Sequence, residues 1–407
     1  MKHVILLYDG MADLPCDVLD GKTPMETADK PLFDAMGRDA EVGLVKTVPD
    51  GLKPGSDVAN LSVLGYDPLQ YYTGRSPLEA VSMGVPMGEN DLTLRCNLVT
   101  LSDEPLFADK TMLDYAGADV TTQEAKELIE SVQQAIGGGD FSYYAGVAYR
   151  HCLLWRGAKE QKQSLGTLTP PHDITGQKIA AKLPATDAGQ VLLRMMEASV
   201  SVLEAHPVNK KRRAEGKRPA NSIWLWGEGT YPALPSFESL RGKKGTVISA
   251  VDLLKGIGIL AGMQTPDVQG ATGWLDTNYE GKARCAVDAF KSGQDFVYLH
   301  MEATDECGHR GEARNKTRGI ELIDKRVLPI LLEYLDTLDD YALMILPDHP
   351  TPCSLMTHTR DAVPYMLFRK KYKGSGKGVV SVTEKSAAAT GIFVQGGSLL
   401  MDRFLGK

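Results

Sequence analysis

The chain has 407 residues, of which 43% are apolar and 24% are charged, and its formal net charge is −7. This balance is typical of a folded protein of roughly two or three domains, and the negative charge excludes a global attraction for nucleic acid. The first residues are too short in apolar side chains for a secretion signal and no stretch is long enough to cross a bilayer, so we expect a cytoplasmic protein without a membrane partner.

The pattern of apolar residues predicts alternating strands and helices. In chain order it predicts a strand at 3–8, a helix at 121–136, a basic loop at 210–213, a strand at 296–301, a helix at 315–335 and a strand at 341–346. The strands are continuous apolar runs, which is typical of strands buried on both faces of a sheet. The run at 210–213 lies between two prolines, which favours a solvated loop.

This alternation predicts an α/β fold with a doubly wound sheet. Ligands of such sheets gather beyond the carboxyl ends of the strands, and each predicted strand here ends in an acidic or polar residue. The sequence pattern of the middle of the chain is different, with a Gly-rich turn and a Pro-Pro segment. We therefore predict a core formed by residues 1–94 and 241–407, and a smaller inserted α/β or α+β domain at 95–240.

Carboxylates and imidazoles follow the predicted strands and point to a metal site. The candidates are Asp9 after the first strand, Asp305 and His309 after the second, and Asp348, His349 and His358 after the third. Each alone has an ordinary structural explanation, such as a turn or a helix cap. Together they form an oxygen and nitrogen ligand set that suits Mn²⁺, Mg²⁺ or Zn²⁺, and two such ions could clamp a phosphoryl group during its displacement.

Ser56 is the candidate nucleophile. It follows Gly55 at the start of a predicted helix that Gly65 ends, and a phosphate at this place would meet free backbone N–H groups. Read alone, Ser56 is only a helix cap. Beside a metal cluster, its hydroxyl is also a plausible nucleophile, because coordination lowers the pKa of a hydroxyl.

These motifs, taken together, are similar to those of a known family. They are Gly55-Ser56-Asp57-Val58-Ala59-Asn60, Thr73-Gly74-Arg75-Ser76-Pro77-Leu78-Glu79-Ala80, Gly270-Ala271-Thr272-Gly273, Asp305-Glu306-Cys307-Gly308-His309 and Pro347-Asp348-His349-Pro350-Thr351-Pro352. In this order they resemble the archaeal-type cofactor-independent phosphoglycerate mutases of the alkaline phosphatase-like superfamily. The resemblance runs over nearly the whole chain. One departure is Ala362 after Asp361, where the family commonly has proline.

The resemblance implies a fold, two divalent metal ions and a mechanism. Residues 1–94 and 241–407 would be the metal-binding alkaline phosphatase-like core, and residues 95–240 the substrate-covering domain. One ion would be held by Asp305, His309 and His358, and the other by Asp9, Ser56, Asp348 and His349. Ser56 would accept a phosphoryl group and return it to another hydroxyl, which interconverts 3-phosphoglycerate and 2-phosphoglycerate without 2,3-bisphosphoglycerate, a step of glycolysis and gluconeogenesis.

The substrate of such an enzyme is a small phosphorylated acid, which needs cations around it. The candidate substrate residues are Arg150, His151, His172, Asp173 and Lys255, with Arg75 and Arg284 ranked below them. For each of them, a surface charge or a structural ion pair is an equal alternative.

Two other activities remain open on the same machinery. One is a homoserine kinase-like phosphotransferase, although the chain has no Gly-x-x-x-x-Gly-Lys-Ser/Thr loop for a nucleoside triphosphate. The other is a metal-dependent phosphatase, in which water takes the phosphoryl group. The sequence does not indicate an oligomeric state.

Overall fold

The structure is a computed structural model that describes residues 1–406. In this part of the chain the strands are β1 (Lys2–Tyr8), β2 (Glu41–Val45), β3 (Leu92–Leu101), β4 (Met112–Asp114), β5 (Phe141–Tyr144), β6 (Arg150–Trp155), β7 (Ser222–Thr230), β8 (Gly245–Ile248), β9 (Phe296–Met301), β10 (Tyr341–Leu346), β11 (Val363–Arg369) and β12 (Phe393–Val394). The helices are α1 (Pro24–Thr27), α2 (Pro31–Gly37), α3 (Ser56–Val63), α4 (Pro68–Tyr71), α5 (Ser76–Ser82), α6 (Thr122–Ile136), α7 (Asp187–Ala205), α8 (Pro207–Ala214), α9 (Phe237–Arg241), α10 (Asp252–Leu260), α11 (Tyr279–Lys291), α12 (Ala303–His309), α13 (Ala313–Arg326), α14 (Leu328–Leu335), α15 (Glu384–Ala389) and α16 (Gly397–Leu405). None of the helices within residues 1–406 has the length and apolar character needed to traverse a bilayer.

The chain divides into two compact units. Unit 1 contains residues 1–72 and 234–407, and unit 2 contains residues 73–233. The boundary drawn from the sequence at 94/95 falls inside β3, and a strand cannot be shared in this way because its residues pair as one ladder. Helix α5, which precedes that boundary, packs on β3 and β7 and therefore belongs to unit 2.

Unit 1 is built on a seven-stranded sheet with the order β12-β2-β11-β10-β1-β9-β8. Strand β1 lies between β10 and β9 and is parallel to both, whereas β11 runs antiparallel to β10 and β2. One face of β1 packs Val4 and Leu6 against the helices α11, α13 and α14, and the other face sets His3 edge-on to Phe404 of α16. Helices cover both faces, which confirms the doubly wound α/β prediction for this part.

Unit 2 is built on a five-stranded sheet in which every pairing is antiparallel. Helices α6 and α7 pack on one face, where Leu128 and Met196 join the strand residue Leu153 in a buried cluster. On the other face Ala80 of α5 packs with Cys152 and Leu154 of β6. An antiparallel sheet with helices segregated on its faces is an α+β arrangement.

The structure confirms the three strands and the first helix predicted from the sequence. Helix α6 begins with a capping box, in which the Thr121 side chain accepts from the Glu124 backbone and Glu124 accepts from the Thr121 backbone. The single helix predicted at 315–335 is wrong, because the chain breaks at Val327 into α13 and α14. Pro329, in the first turn of α14, has no N–H to continue the helix before it.

The predicted loop at 210–213 is also wrong, because these residues lie in α8. Pro207 is the first residue of this helix, a position that proline favours, and His206 caps it by accepting from the Val208 N–H. Arg212 is buried and bonds the Arg218 carbonyl and, at 3.0 Å, a carboxylate oxygen of Glu124. One member of the basic run is therefore a structural residue rather than a solvated one.

Candidate metal centre

The first group of candidate ligands joins α12 to the loop after β10. Asp305 and His309 lie one turn apart on α12, and His358 lies in the loop. The two imidazole Nε2 atoms are 2.9 Å apart, and each lies 3.4 Å from an oxygen of Asp305. His309 Nδ1 lies 3.1 Å from the Met356 carbonyl oxygen, which can only accept, so Nδ1 carries the proton and Nε2 presents its lone pair. Two ring nitrogens and a carboxylate that converge in this way fit one divalent cation.

The second group lies at the carboxyl ends of the adjacent strands β1 and β10. Asp9 follows β1 directly, while Asp348 and His349 follow β10, and all three are buried. His349 Nε2 is 3.3 Å from an oxygen of Asp348 and 3.8 Å from Oδ1 of Asp9. That Oδ1 is buried without a hydrogen-bond partner, which is costly unless a cation compensates it. The donor set again fits one divalent cation.

The electrostatics of the two groups also favour bound cations. Burial raises the pKa of Asp9 well above its ordinary value, and the negative charges of Asp348 and Asp305 raise it further. Burial alone would also raise the pKa of Asp305, but the neighbouring His309, His358 and His349 imidazoles hold it well below the usual range. Several carboxylates gathered in one buried place repel each other, and a metal ion supplies the missing positive charge.

Ser56 lies beside the second group. It is the first residue of α3, whose N-cap is Gly55, and its Oγ is 3.1 Å from Nε2 of His349. Asn60, one turn later on α3, donates 2.8 Å to the Ser56 carbonyl and 2.7 Å to Oδ2 of Asp348. The start of α3 is therefore tied to the candidate ligands, with the hydroxyl turned towards them.

Gly10 shows how tightly this region is packed. Its φ is +61°, and a side chain here would place a Cβ 2.5 Å from Oγ1 of Thr351 and 2.6 Å from Oδ1 of Asp305. Its N–H donates 3.1 Å to the other oxygen of Asp348, which Asn60 does not contact. The Asp9-Gly10 pair forms a turn, which is the structural role that the sequence favours for it. The same turn brings the two ligand groups close together.

Sequence reasoning missed two residues that hold the ligands. Asn60 bonds Asp348 and accepts from the Tyr298 hydroxyl, and Thr351 donates to Oδ1 of Asp305 and lies 3.2 Å from Nδ1 of His349. Both lie inside the motifs that carry the family resemblance. The spacing of Asn60, four residues after Ser56 on one helix face, is the signal that could have found it.

Comparison with known proteins decides the family. Residues 37–209 match a model of the family described as 2,3-bisphosphoglycerate-independent phosphoglycerate mutase. A probable 2,3-bisphosphoglycerate-independent phosphoglycerate mutase from Geobacter sulfurreducens is 46% identical over 407 residues, which is 100% of both chains. The chain belongs to this family.

Two further comparisons agree. The mutase of Methanosarcina barkeri is 48% identical over 370 residues, which is 91% of this chain and 90% of that one. The structure of the cofactor-independent phosphoglycerate mutase from Thermoplasma acidophilum superposes with a TM-score of 0.66 at 26% identity, and covers 100% of this chain and 99% of that one. The family is one of enzymes, so the two ligand groups and Ser56 belong to an enzyme.

Within this member of the mutase family, unit 2 carries a compact group of basic side chains, which we call the arginine cluster: Arg75, Arg95, Arg150 and His172. Arg75 and Arg95 lie 2.8 and 2.9 Å from the two oxygens of Glu79, and Arg95 stacks 4.2 Å above Trp226. Burial would raise the pKa of Glu79, but the charges of Arg95, Arg75 and Arg150 bring it below its ordinary value. Three guanidinium groups therefore lie near the Glu79 carboxylate, and guanidinium groups suit carboxylate and phosphate anions.

The structure places the predicted substrate residues in different surroundings. Arg150 is exposed at the start of β6. The centroid of the His172 ring lies 5.3 Å from that of Trp226, and its Nε2 lies 3.5 Å from a carboxylate oxygen of Asp173. His151 is buried and accepts a 3.0 Å hydrogen bond at Nδ1 from the Gly146 N–H.

Unit 1 holds the other two candidates. Lys255, on α10, pairs with the exposed carboxylate of Asp267. Arg284 lies on α11 near Glu280, whose pKa is lowered chiefly by the hydrogen bond from Arg326, with a smaller contribution from the charge of Arg284. Arg95 of unit 2, which sequence reasoning missed, is held by its ion pair with Glu79 and its stacking on Trp226.

Proposed function

We propose that this protein interconverts 3-phosphoglycerate and 2-phosphoglycerate without 2,3-bisphosphoglycerate, by transferring the phosphoryl group to and from Ser56. The observation that carries the proposal is the 3.1 Å approach of the Ser56 hydroxyl to His349 at the start of α3, beside the buried carboxylates. Membership of the mutase family supports the same activity.

The reaction divides into two transfers that balance each other. In the first, Ser56 Oγ forms a bond to phosphorus as the bond from phosphorus to the 3-oxygen of the substrate breaks, and the proton that Ser56 loses is balanced by the proton that the leaving 3-oxygen gains. In the second, the 2-hydroxyl oxygen forms a bond to phosphorus as the bond from phosphorus to Ser56 Oγ breaks, and the proton that the 2-hydroxyl loses is balanced by the proton that Ser56 gains. The backbone N–H groups at the start of α3 are oriented to stabilise the phosphoryl oxygens during both transfers.

We assign the two ligand groups to two divalent cations, of the Mn²⁺, Mg²⁺ or Zn²⁺ kind. Such ions supply charge that stabilises the phosphoryl group and lowers the pKa of a hydroxyl. The chain contributes the geometry: Asn60 holds Asp348 and the backbone of Ser56, and Thr351 holds Asp305. The choice of metal, the cytoplasmic location and the role in glycolysis stay predictions.

We also propose that the arginine cluster of unit 2 is a binding place for a small anion. Arg95 and Arg150 provide guanidinium groups, which suit carboxylate and phosphate through paired hydrogen bonds. His151 and Lys255 are left out of this assignment, because each is already engaged, by the Gly146 amide and by Asp267 respectively.

The test follows the phosphorus nucleus directly. The protein, stripped of metal and reloaded with Mn²⁺, is incubated with 3-phosphoglycerate in the absence of 2,3-bisphosphoglycerate, and ³¹P NMR records the products. We expect 2-phosphoglycerate to appear until the two isomers reach equilibrium.

Two other results would reject the mutase assignment. Release of inorganic phosphate without the second isomer would indicate a phosphatase. Consumption of ATP with homoserine, in the absence of mutase activity, would indicate the kinase-like alternative.

A further inference from the structure

A buried imidazole stands directly behind Asp9. His300 lies on β9, where it is the register partner of Leu7 on β1, and is 0% exposed. Its Nε2 is 3.0 Å from Oδ2 of Asp9. The other oxygen of Asp9, Oδ1, faces the second ligand group and lies 3.8 Å from Nε2 of His349. The carboxylate of Asp9 therefore lies between the His300 imidazole on one side and the other members of the second ligand group on the other side.

The opposite side of the His300 ring is fixed by a second carboxylate. Nδ1 is 3.2 Å from Oε1 of Glu302 and 3.1 Å from the Ser249 hydroxyl. Glu302 in turn accepts from the Ser249 hydroxyl at 3.1 Å and from the Ala250 N–H at 2.7 Å. Nδ1 is therefore held by Ser249 and Glu302, whereas Nε2 lies at ion-pair distance from Asp9 without the geometry of a hydrogen bond, so a rotation of the ring would break the contacts at Nδ1.

A buried lysine completes the chain of contacts. Lys282, on α11, is 0% exposed, pairs with Oε2 of Glu302 and donates 3.0 Å to the His300 carbonyl. Breaking a buried ion pair of this kind is costly, so Glu302 is firmly held. The sequence of contacts runs Lys282, Glu302, His300, Asp9, and it ends at a carboxylate oxygen that has no hydrogen-bond partner.

We propose that His300 is a positioning residue, which Glu302 and Lys282 hold in place so that Asp9 turns Oδ1 towards the second cation. The inference deepens the proposed function and rests on it, since it concerns the metal centre of that reaction. Partners behind a ligand orient it and tune its affinity, and their loss typically weakens metal binding by about 10- to 100-fold. His300 acts through Asp9 and takes no part in the phosphoryl transfer itself.

The competing explanation is a network that only stabilises the fold. Its removal would then lower the stability of the protein but leave metal affinity unchanged. His3 provides a matched control, because it is an equally buried imidazole of the same sheet, 1% exposed, and packs on Phe404 away from the ligands. The two histidines differ in their contacts rather than in burial or residue type.

The experiment measures Mn²⁺ binding to metal-free protein, with free Mn²⁺ recorded by electron paramagnetic resonance. We expect two sites in the wild type and in His3→Leu. In His300→Leu we expect one site to weaken by about 10- to 100-fold and the other to keep its affinity. His300→Asn serves as a second variant in case the leucine variant does not fold. Its side chain is too short to reach Asp9, so the same loss of affinity at one site is expected. His300→Gln, which can still donate towards Asp9, should recover part of the affinity.

The outcomes separate the inference from the proposed function. Wild-type affinity at both sites in a folded His300→Leu or His300→Asn protein would overturn the positioning role. A kcat of His300→Asn that returns towards the wild-type value when Mn²⁺ is saturating supports it, because positioning affects occupancy. If the wild type shows no mutase activity, the proposed function fails, yet the Mn²⁺ titration still decides the role of His300.

Discussion

Asn60 offers a sharp test of how the chain holds its nucleophile and a ligand together. The change Asn60→Asp keeps the shape of the side chain but replaces the amide donor with an acceptor. The lost hydrogen bonds are the one to the Asp348 carboxylate at 2.7 Å and the one to the Ser56 carbonyl at 2.8 Å. A hydrogen bond to a charged group contributes about 1.5–3 kcal/mol and a neutral one about 1 kcal/mol. The loss is therefore about 3 kcal/mol, or about 100-fold in kcat if it falls on the transition state.

The assay is ³¹P NMR exchange between the two phosphoglycerates at saturating Mn²⁺. Asn209→Asp serves as the control, because Asn209 is a buried amide of unit 2 that donates to the Leu203 and Ala220 carbonyls. We expect the control to lose stability and to keep its kcat. A kcat for Asn60→Asp within about threefold of wild type would show that the two contacts do not support the reaction, and the reasoning would be wrong.

Three further predictions concern the nucleophile, a buried ion pair and acid stability. Ser56→Ala should abolish phosphoryl transfer and the phosphoserine detected by mass spectrometry, and should largely keep the affinity for Mn²⁺. The control Ser62→Ala, on the same helix, should remain active. Normal turnover by Ser56→Ala would count against the mechanism. Lys316→Met removes the partner of the buried Asp13 carboxylate, 2.7 Å away, so the free energy of unfolding measured in urea should fall by about 3–5 kcal/mol. Adding Asp13→Asn should restore most of that loss. An unchanged unfolding midpoint in Lys316→Met would contradict this prediction. Burial lowers the pKa of His3 to about 3, so below about pH 6.5 the unfolded chain binds more protons than the folded one. The free energy of unfolding should therefore fall by up to about 1.4 kcal/mol for each pH unit of acidification. His3→Leu should show a smaller decline in urea titrations between pH 6 and 4, and an equal slope in both proteins would refute the prediction.

The sequence predicts the ligand groups because of a general property of parallel sheets. The strands β1, β9 and β10 are adjacent, so polar residues just after them meet at one edge. Asp9, Asp305 and Asp348 could be selected on that ground alone. Ser56 was also accessible, since a Gly-Ser pair before a helical pattern marks the start of a helix.

The residues that support these ligands could not be predicted in the same way. His300 and Lys282 stand at positions that read as core residues of a strand and a helix, and only the tertiary pairing reveals their polar contacts. Arg95 becomes significant through the antiparallel register that sets it opposite Trp226, which no local pattern encodes. The helix break at Val327 was missed because the apolar periodicity continues across it while the backbone does not.

The central place of β1 has a consequence for how the protein is made. Lys2 pairs with Tyr341, so β1 is synthesised about 340 residues before its partner strand β10. At about 5–20 residues per second, the delay on the ribosome is on the order of 17–70 seconds. Unit 2 is complete long before that time, whereas β1, an almost wholly apolar strand, stays without its neighbours. The nascent chain therefore presents a bare hydrophobic edge during synthesis, and any chaperone that acts on it should engage the first strand rather than the inserted unit.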